Sequence, residues 1–133
     1  MNTTRQREDW PAIVADLAVV VAFAAIGRAS HGESLGVGDV LHTALPFAAA
    51  ALITHLIYHL RRVSTRGIAH GSVVWLATWL AGMGLRLATG ASVAWAFLAV
   101  AGAFLALGLL GWRLVYRLVT RGRAPRQAPP SAR

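Results

Sequence analysis

The chain has 133 residues, enough for one domain, of which 56 % are hydrophobic and only 14 % charged. Soluble domains carry about 25 % charged residues, so this one is too apolar to belong with them. The net charge is +8 and every basic residue is Arg, but these flank the apolar runs instead of forming one stripe, which argues against nucleic acid; the absence of Cys excludes disulfides, thiolate catalysis, iron–sulfur clusters and Cys-based zinc sites.

A hydrocarbon core of about 30 Å needs about 20 apolar helical residues. Residues 10–27 form the first such run, interrupted only by Asp16. Residues 40–60 contain no Asp, Glu, Lys or Arg, only His42, His55 and His59 as titratable side chains apart from Tyr58. Residues 67–85 and 87–112 are likewise free of acids, Lys and Arg. Backbone polar groups must be paired in lipid, which leaves helices or a closed barrel. A barrel alternates apolar and polar residues, whereas the run from Ala94 to Leu110 is apolar on every face, so the runs are helices. No run shows the broad charged face of a soluble bundle. Gly27-Arg28-Ala29 loosely resembles a signal-peptide cleavage site, but Asp16 inside the apolar stretch counts against that reading.

The expectation is an all-α integral membrane protein with four transmembrane helices at about 10–29, 40–61, 67–87 and 91–117. Residues 1–9 form an N-terminal tail and residues 10–120 the membrane domain. Residues 121–133, rich in Arg and Pro, lack the apolar surface to order themselves. Residues 88–91 predict a tight hairpin between the last two helices, and Pro46 is expected in the first turns of the second, where its missing N–H is tolerated. Eleven Arg residues fall on the side of the termini and the 61–67 connection, against Arg28 and Arg86 on the other. By the positive-inside rule both termini are cytoplasmic. The chain is then a multi-pass protein of a cytoplasmic membrane. Tyr58, Arg61, Arg62 and Arg66 form an inner collar suited to anionic lipid headgroups.

Polar residues inside or beside the spans need a physical reason. Asp16 is the one acid within a span, about 9 Å from the cytoplasmic edge at 1.5 Å per residue. His55, His59 (one turn later on the same face) and Arg113 enter the same leaflet, so an inner cluster of Asp16, His55, His59 and Arg113 is expected. A proton relay would use these residue types; helix–helix adhesion, with Asp16 satisfied by His or Arg, is the favoured reading. At the outer end Arg28, His31, Glu33, Asp39, His42 and Arg86 gather around the helix ends. Two His and two carboxylates could ligate a divalent metal, but the spacing matches no dedicated metal motif, and a solvated polar mouth is the simpler account. Arg28 and Arg86 are each followed four residues later by Gly, in Gly32 and Gly90, a weak hint of two hairpin repeats. Small residues four apart recur in every span: Ala18 and Ala22, Ala44 and Ala48, Thr78 and Gly82, Ala99 and Ala103. Trp10 and Trp112 suit an interfacial belt, while Trp75, Trp79 and Trp95 pack or face lipid.

The stretch Phe23-Ala24-Ala25-Ile26-Gly27-Arg28-Ala29-Ser30-His31-Gly32-Glu33, with Asp16 upstream, Pro46-Phe47, Leu85-Arg86 and Thr89-Gly90, resembles a family of small bacterial, mostly actinobacterial, membrane proteins: domain of unknown function 3054. The resemblance covers roughly residues 12 to 115. It implies a membrane fold and a bacterial cytoplasmic membrane, with Asp16, Arg28, His31, Glu33 and Arg86 as its typical polar positions. His55 and His59 are outside that pattern.

No phosphate loop, HExxH, nucleophile elbow or dinucleotide fingerprint is present, so neither enzyme activity nor a cofactor is expected. The leading reading is a structural or partner-binding membrane component, with lipids and a homo-oligomer or membrane-protein partner around it. A small oligomeric transporter or channel subunit with a polar outer site comes next, and a membrane enzyme or metal site at the outer mouth last.

Overall fold

The structure, a computed structural model, describes residues 9–122. The expected tails at 1–9 and 121–133 lie almost wholly outside them. Four helices account for most of the described chain: α1 (Trp10–Ser30), α2 (Val37–Leu60), α3 (Ile68–Ala88) and α4 (Trp95–Arg121). All four are long and apolar enough to cross a membrane. At 27 residues α4 measures about 40 Å, more than a hydrocarbon core requires.

Each helix packs antiparallel against the next, and α4 closes the ring against α1. A core of Val20, Phe23, Phe47, Met83, Leu105 and Leu109 fills the centre. Phe23 meets Phe47 edge-on at 5.2 Å between ring centroids. Trp75 and Trp79 stack at 5.9 Å and donate their indole N–H groups to the Gly102 and Leu98 carbonyls of α4, fastening the third hairpin. The outward faces are the reverse of a soluble protein's: Leu45, Ile53, Leu80, Val100 and Leu107 are all exposed. Water would penalise so much apolar area, whereas lipid solvates it. The protein is therefore a multi-pass, all-helical membrane bundle.

The helix ends explain the repeated Arg-x-x-x-Gly spacing. Gly32 has φ +67° and Gly90 φ +85°. The next N–H in each case reaches back five residues, from Glu33 to the Arg28 carbonyl and from Ala91 to the Arg86 carbonyl. This is the bond pattern of a Schellman stop, in which a left-handed residue lets the chain fold back over the last turn. The spacing thus records two helix terminations that set an Arg in the final turn of α1 and of α3. A third stop of this kind has Val63 N–H donating to the Tyr58 carbonyl, and there the left-handed residue is Arg62, φ +56°. Non-Gly residues pay a steric penalty in that region. Arg62→Gly is expected to stabilise the protein by about 0.5–1 kcal/mol after Gly's own entropy cost, read by denaturant unfolding in micelles.

Three expectations about the helices need correction. α2 begins at Val37, three residues before 40, because Gly36 is extended and Asp39 joins the first turn, accepting the Ser34 hydroxyl at 2.6 Å. Pro46 consequently lies inside α2, not in its first turns, and the His42 carbonyl loses its usual helical donor. The last hairpin is not tight: α4 starts at Trp95, and residues 89–94 bridge the gap with Val93 packed on the core and Ala94 extended.

Candidate functional site

The two ends of the bundle carry two polar clusters of opposite character. At the end where α1 begins and α4 finishes, Asp16 and Arg113 are both fully buried and face each other in a two-pronged ion pair, Nη1 to Oδ1 and Nη2 to Oδ2, each 2.7 Å. The planar guanidinium matches a carboxylate in this geometry. Trp112 Nε1–H also donates to Oδ1, and His55 Nε2–H to Oδ2, both at 2.8 Å. Asp16 therefore accepts four hydrogen bonds, the full capacity of a carboxylate.

Most of the remaining groups of this cluster are matched as well. Arg113 Nε donates to the Thr65 carbonyl at 2.9 Å and Nη1 also to the Leu109 carbonyl at 2.6 Å. The Thr65 hydroxyl lies 3.1 Å from His55 Nδ1, which accepts from it once Nε2 is committed as donor to Asp16. Thr65 belongs to the 61–67 connection yet is 1 % exposed, so the network draws that loop into the bundle. Helices α1, α2 and α4 and the loop before α3 are held together by one carboxylate. All four acceptor positions of Asp16 and four of the five N–H donors of Arg113 are engaged, an arrangement suited to lock the helix ends together. Of the four residues expected here, Asp16, His55 and Arg113 converge, while His59 is exposed and makes no contact with them. Trp112 and Thr65 are members that the sequence pattern missed.

The opposite end is polar but not saturated. Arg28, in the last turn of α1, donates from Nε to the Ser34 carbonyl at 2.7 Å and from Nη1 to Thr43 of α2 at 3.0 Å. Its ion pair with Glu33 is 3.0 Å long, and Glu33 is half exposed. The side chain of Arg86, in the last turn of α3, has no hydrogen-bond or ion-pair partner among the described residues, and its Nε is buried. Its guanidinium lies 5.2 Å from the centroid of the Phe97 ring of α4.

Between them is a cavity of about 210 Å³ to which all four helices contribute. Phe23, Ala24, Gly27 and Phe97 give it an apolar lining, and Arg28, Arg86, Thr43, Glu33, His31 and His42 a polar one. Of the six outer residues expected together, five line this cup. Asp39 does not; it is engaged with Ser34 instead. No group of three or more His, Asp or Glu is placed to hold a metal ion among the described residues. Phe97 and Thr43 are the contributors that carried no sequence signal.

Both clusters lie within residues 13–116, the stretch that matches the family model described as "Protein of unknown function (DUF3054)". The chain belongs to the DUF3054 family. No curated protein and no solved structure matches it. The family match thus extends across the Asp16 lock and the Arg28–Arg86 cup alike, and fixes no activity for either.

Proposed function

We propose that this DUF3054 protein is a binding component of a bacterial cytoplasmic membrane whose working site is the Arg28–Arg86 cup, and that the cup receives a small anion. The observation that carries this reading is the Arg86 guanidinium, with a buried Nε and no hydrogen-bond or ion-pair partner among the described residues. A buried charged donor left unpaired costs about 1–3 kcal/mol or more, which a bound anion would recover. The cup has two Arg and one acid in its lining, an excess of one fixed positive charge.

Binding is favoured over conduction by one chain. Below the cup the aromatic core closes the bundle, and at the far end the Asp16 lock closes it again. A transport role would require several copies. The Arg excess favours an orientation with the Asp16 end cytoplasmic and the cup outside. Exposed Arg61, Arg62, Arg117 and Arg121 would then meet anionic headgroups, each worth about 1 kcal/mol near a charged surface.

Calorimetric titration with sulfate, of protein held in nanodiscs of neutral lipid, tests the reading. Binding is expected, with Arg86→Gln weakening it about tenfold, one hydrogen-bonded charge's worth. Equal binding by Arg86→Gln, or none by the parent, would overturn it. Because the Arg86 side chain makes no hydrogen bond or ion pair among the described residues, the variant loses only the contact with the Phe97 ring and is expected to fold nearly as well as the parent in sulfate-free buffer.

A further inference from the structure

An inorganic anion would use only half of what lines the cup. The two Arg residues sit over an apolar lining in which Phe23 and Phe97 are 6.2 Å apart between centroids, tilted by 37°. Sulfate or phosphate would neutralise the charge and leave the apolar side of the cup, where Phe97 is only partly buried, unfilled. The size also matters. A dry cavity of about 150 Å³ accepts benzene. The 210 Å³ here leaves roughly 60 Å³ beyond one ring, room for a single compact charged group. The net charge of the lining, one positive, balances one negative charge and not two.

From size, charge and the two-sided lining together, and resting on the anion-binding reading above, we infer that the ligand is an amphiphilic monoanion: a small carboxylate carrying one aromatic ring or a hydrocarbon body of similar bulk. The carboxylate lies at Arg86, whose planar donors match it two to two, with Arg28 and the Thr43 hydroxyl beside it. The body rests on Phe23 and Phe97. Phe97 holds two roles, since it also stacks beneath the Arg86 guanidinium and keeps it oriented. Gly27 leaves the room: a Cβ there would meet nothing within 4 Å.

Three probes separate this inference from the reading beneath it: benzoate, benzamide and sulfate, each titrated into nanodiscs of neutral lipid. Benzoate is expected to bind at least tenfold more tightly than sulfate. Benzamide, equal in shape but uncharged, is expected to lose at least tenfold against benzoate. Phe97→Ala should weaken benzoate severalfold more than it weakens sulfate, whereas Arg86→Gln should weaken both. Gly27→Leu, which enlarges a side chain where no atom obstructs it, should exclude benzoate more than sulfate. Sulfate binding as tightly as benzoate, with Phe97→Ala without effect on either, overturns the amphiphile and leaves the anion site standing. Benzamide binding as well as benzoate, or no probe binding, overturns both. A carboxylate of membrane origin is distinguished by decanoate, whose chain outgrows the cup: it is expected to gain nothing over benzoate, and a Phe97-dependent gain would overturn the size limit.

Discussion

Asp16→Ala is expected to destabilise the bundle by about 3–5 kcal/mol, the largest loss foreseen for any single side chain here. The deleted carboxylate is small, but it leaves the Arg113 guanidinium without its counter-ion at a site of zero exposure. Trp112 and His55 lose their acceptor at the same time. Arg113 cannot escape to a headgroup by snorkelling without giving up its bonds to the Thr65 and Leu109 carbonyls. The cost is mostly that of stranding a charge, so removing both charges should be far milder. The double variant Asp16→Leu with Arg113→Met is expected to lose less than about 2 kcal/mol, because a well-packed apolar pair can replace a buried ion pair nearly without penalty. Reversible unfolding in bicelles, followed for the parent, both single variants and the double, measures the coupling. If the double falls as far as the two singles added together, Asp16 and Arg113 do not act as one unit and the lock is refuted. Asp16→Asn should fall between, since one amide oxygen still accepts while the amide N–H₂ meets the donors of Arg113.

Much of this fold could be read from the chain before any coordinates, and the reasons differ from residue to residue. The four spans are legible because lipid imposes a length and an apolar composition that little else satisfies. Asp16, His55 and Arg113 are legible as a group because depth along a helix follows from residue count. Depth does not give rotation about the axis. His59 shares a face with His55 but is exposed, and the four acceptor positions of Asp16 are taken without it. Trp112 has the position of an interfacial residue, yet the phase of α4 turns its N–H onto Asp16. Thr65 lies in a connection whose path no periodicity encodes. At the other end Arg28 and Arg86 stood out because they break the charge bias, and the Gly four residues later marks each helix stop. Arg62, doing the same backbone work without being Gly, gave no such mark.

Small residues show the same division, and they lead to the second large effect. Ala44, Thr78 and Gly82 are buried as close packing requires, but Ala18, Ala22, Ala99 and Ala103 face outward, so spacing by fours alone does not locate the contacts. What a methyl group would meet does locate them. At Gly71 a Cβ would overlap Arg113, falling on Cδ and Nε. Arg113 has no freedom to yield, being tied to Asp16, Thr65 and Leu109 at once. Gly71→Ala is therefore expected to destabilise the protein by about 2–3 kcal/mol, the overpacking and network cost outweighing the roughly 1 kcal/mol that Ala gains over Gly in a helix. Gly84 on α3 and Gly111 on α4 have nothing within 4 Å of the same added atom. Their Ala variants should keep the helix-propensity gain and be as stable as the parent or up to about 1 kcal/mol more so. Unfolding of the three variants in one micelle composition decides the matter. Gly71→Ala ranking with the other two would mean that Arg113 can shift aside, which a guanidinium tied at all three nitrogens does not permit.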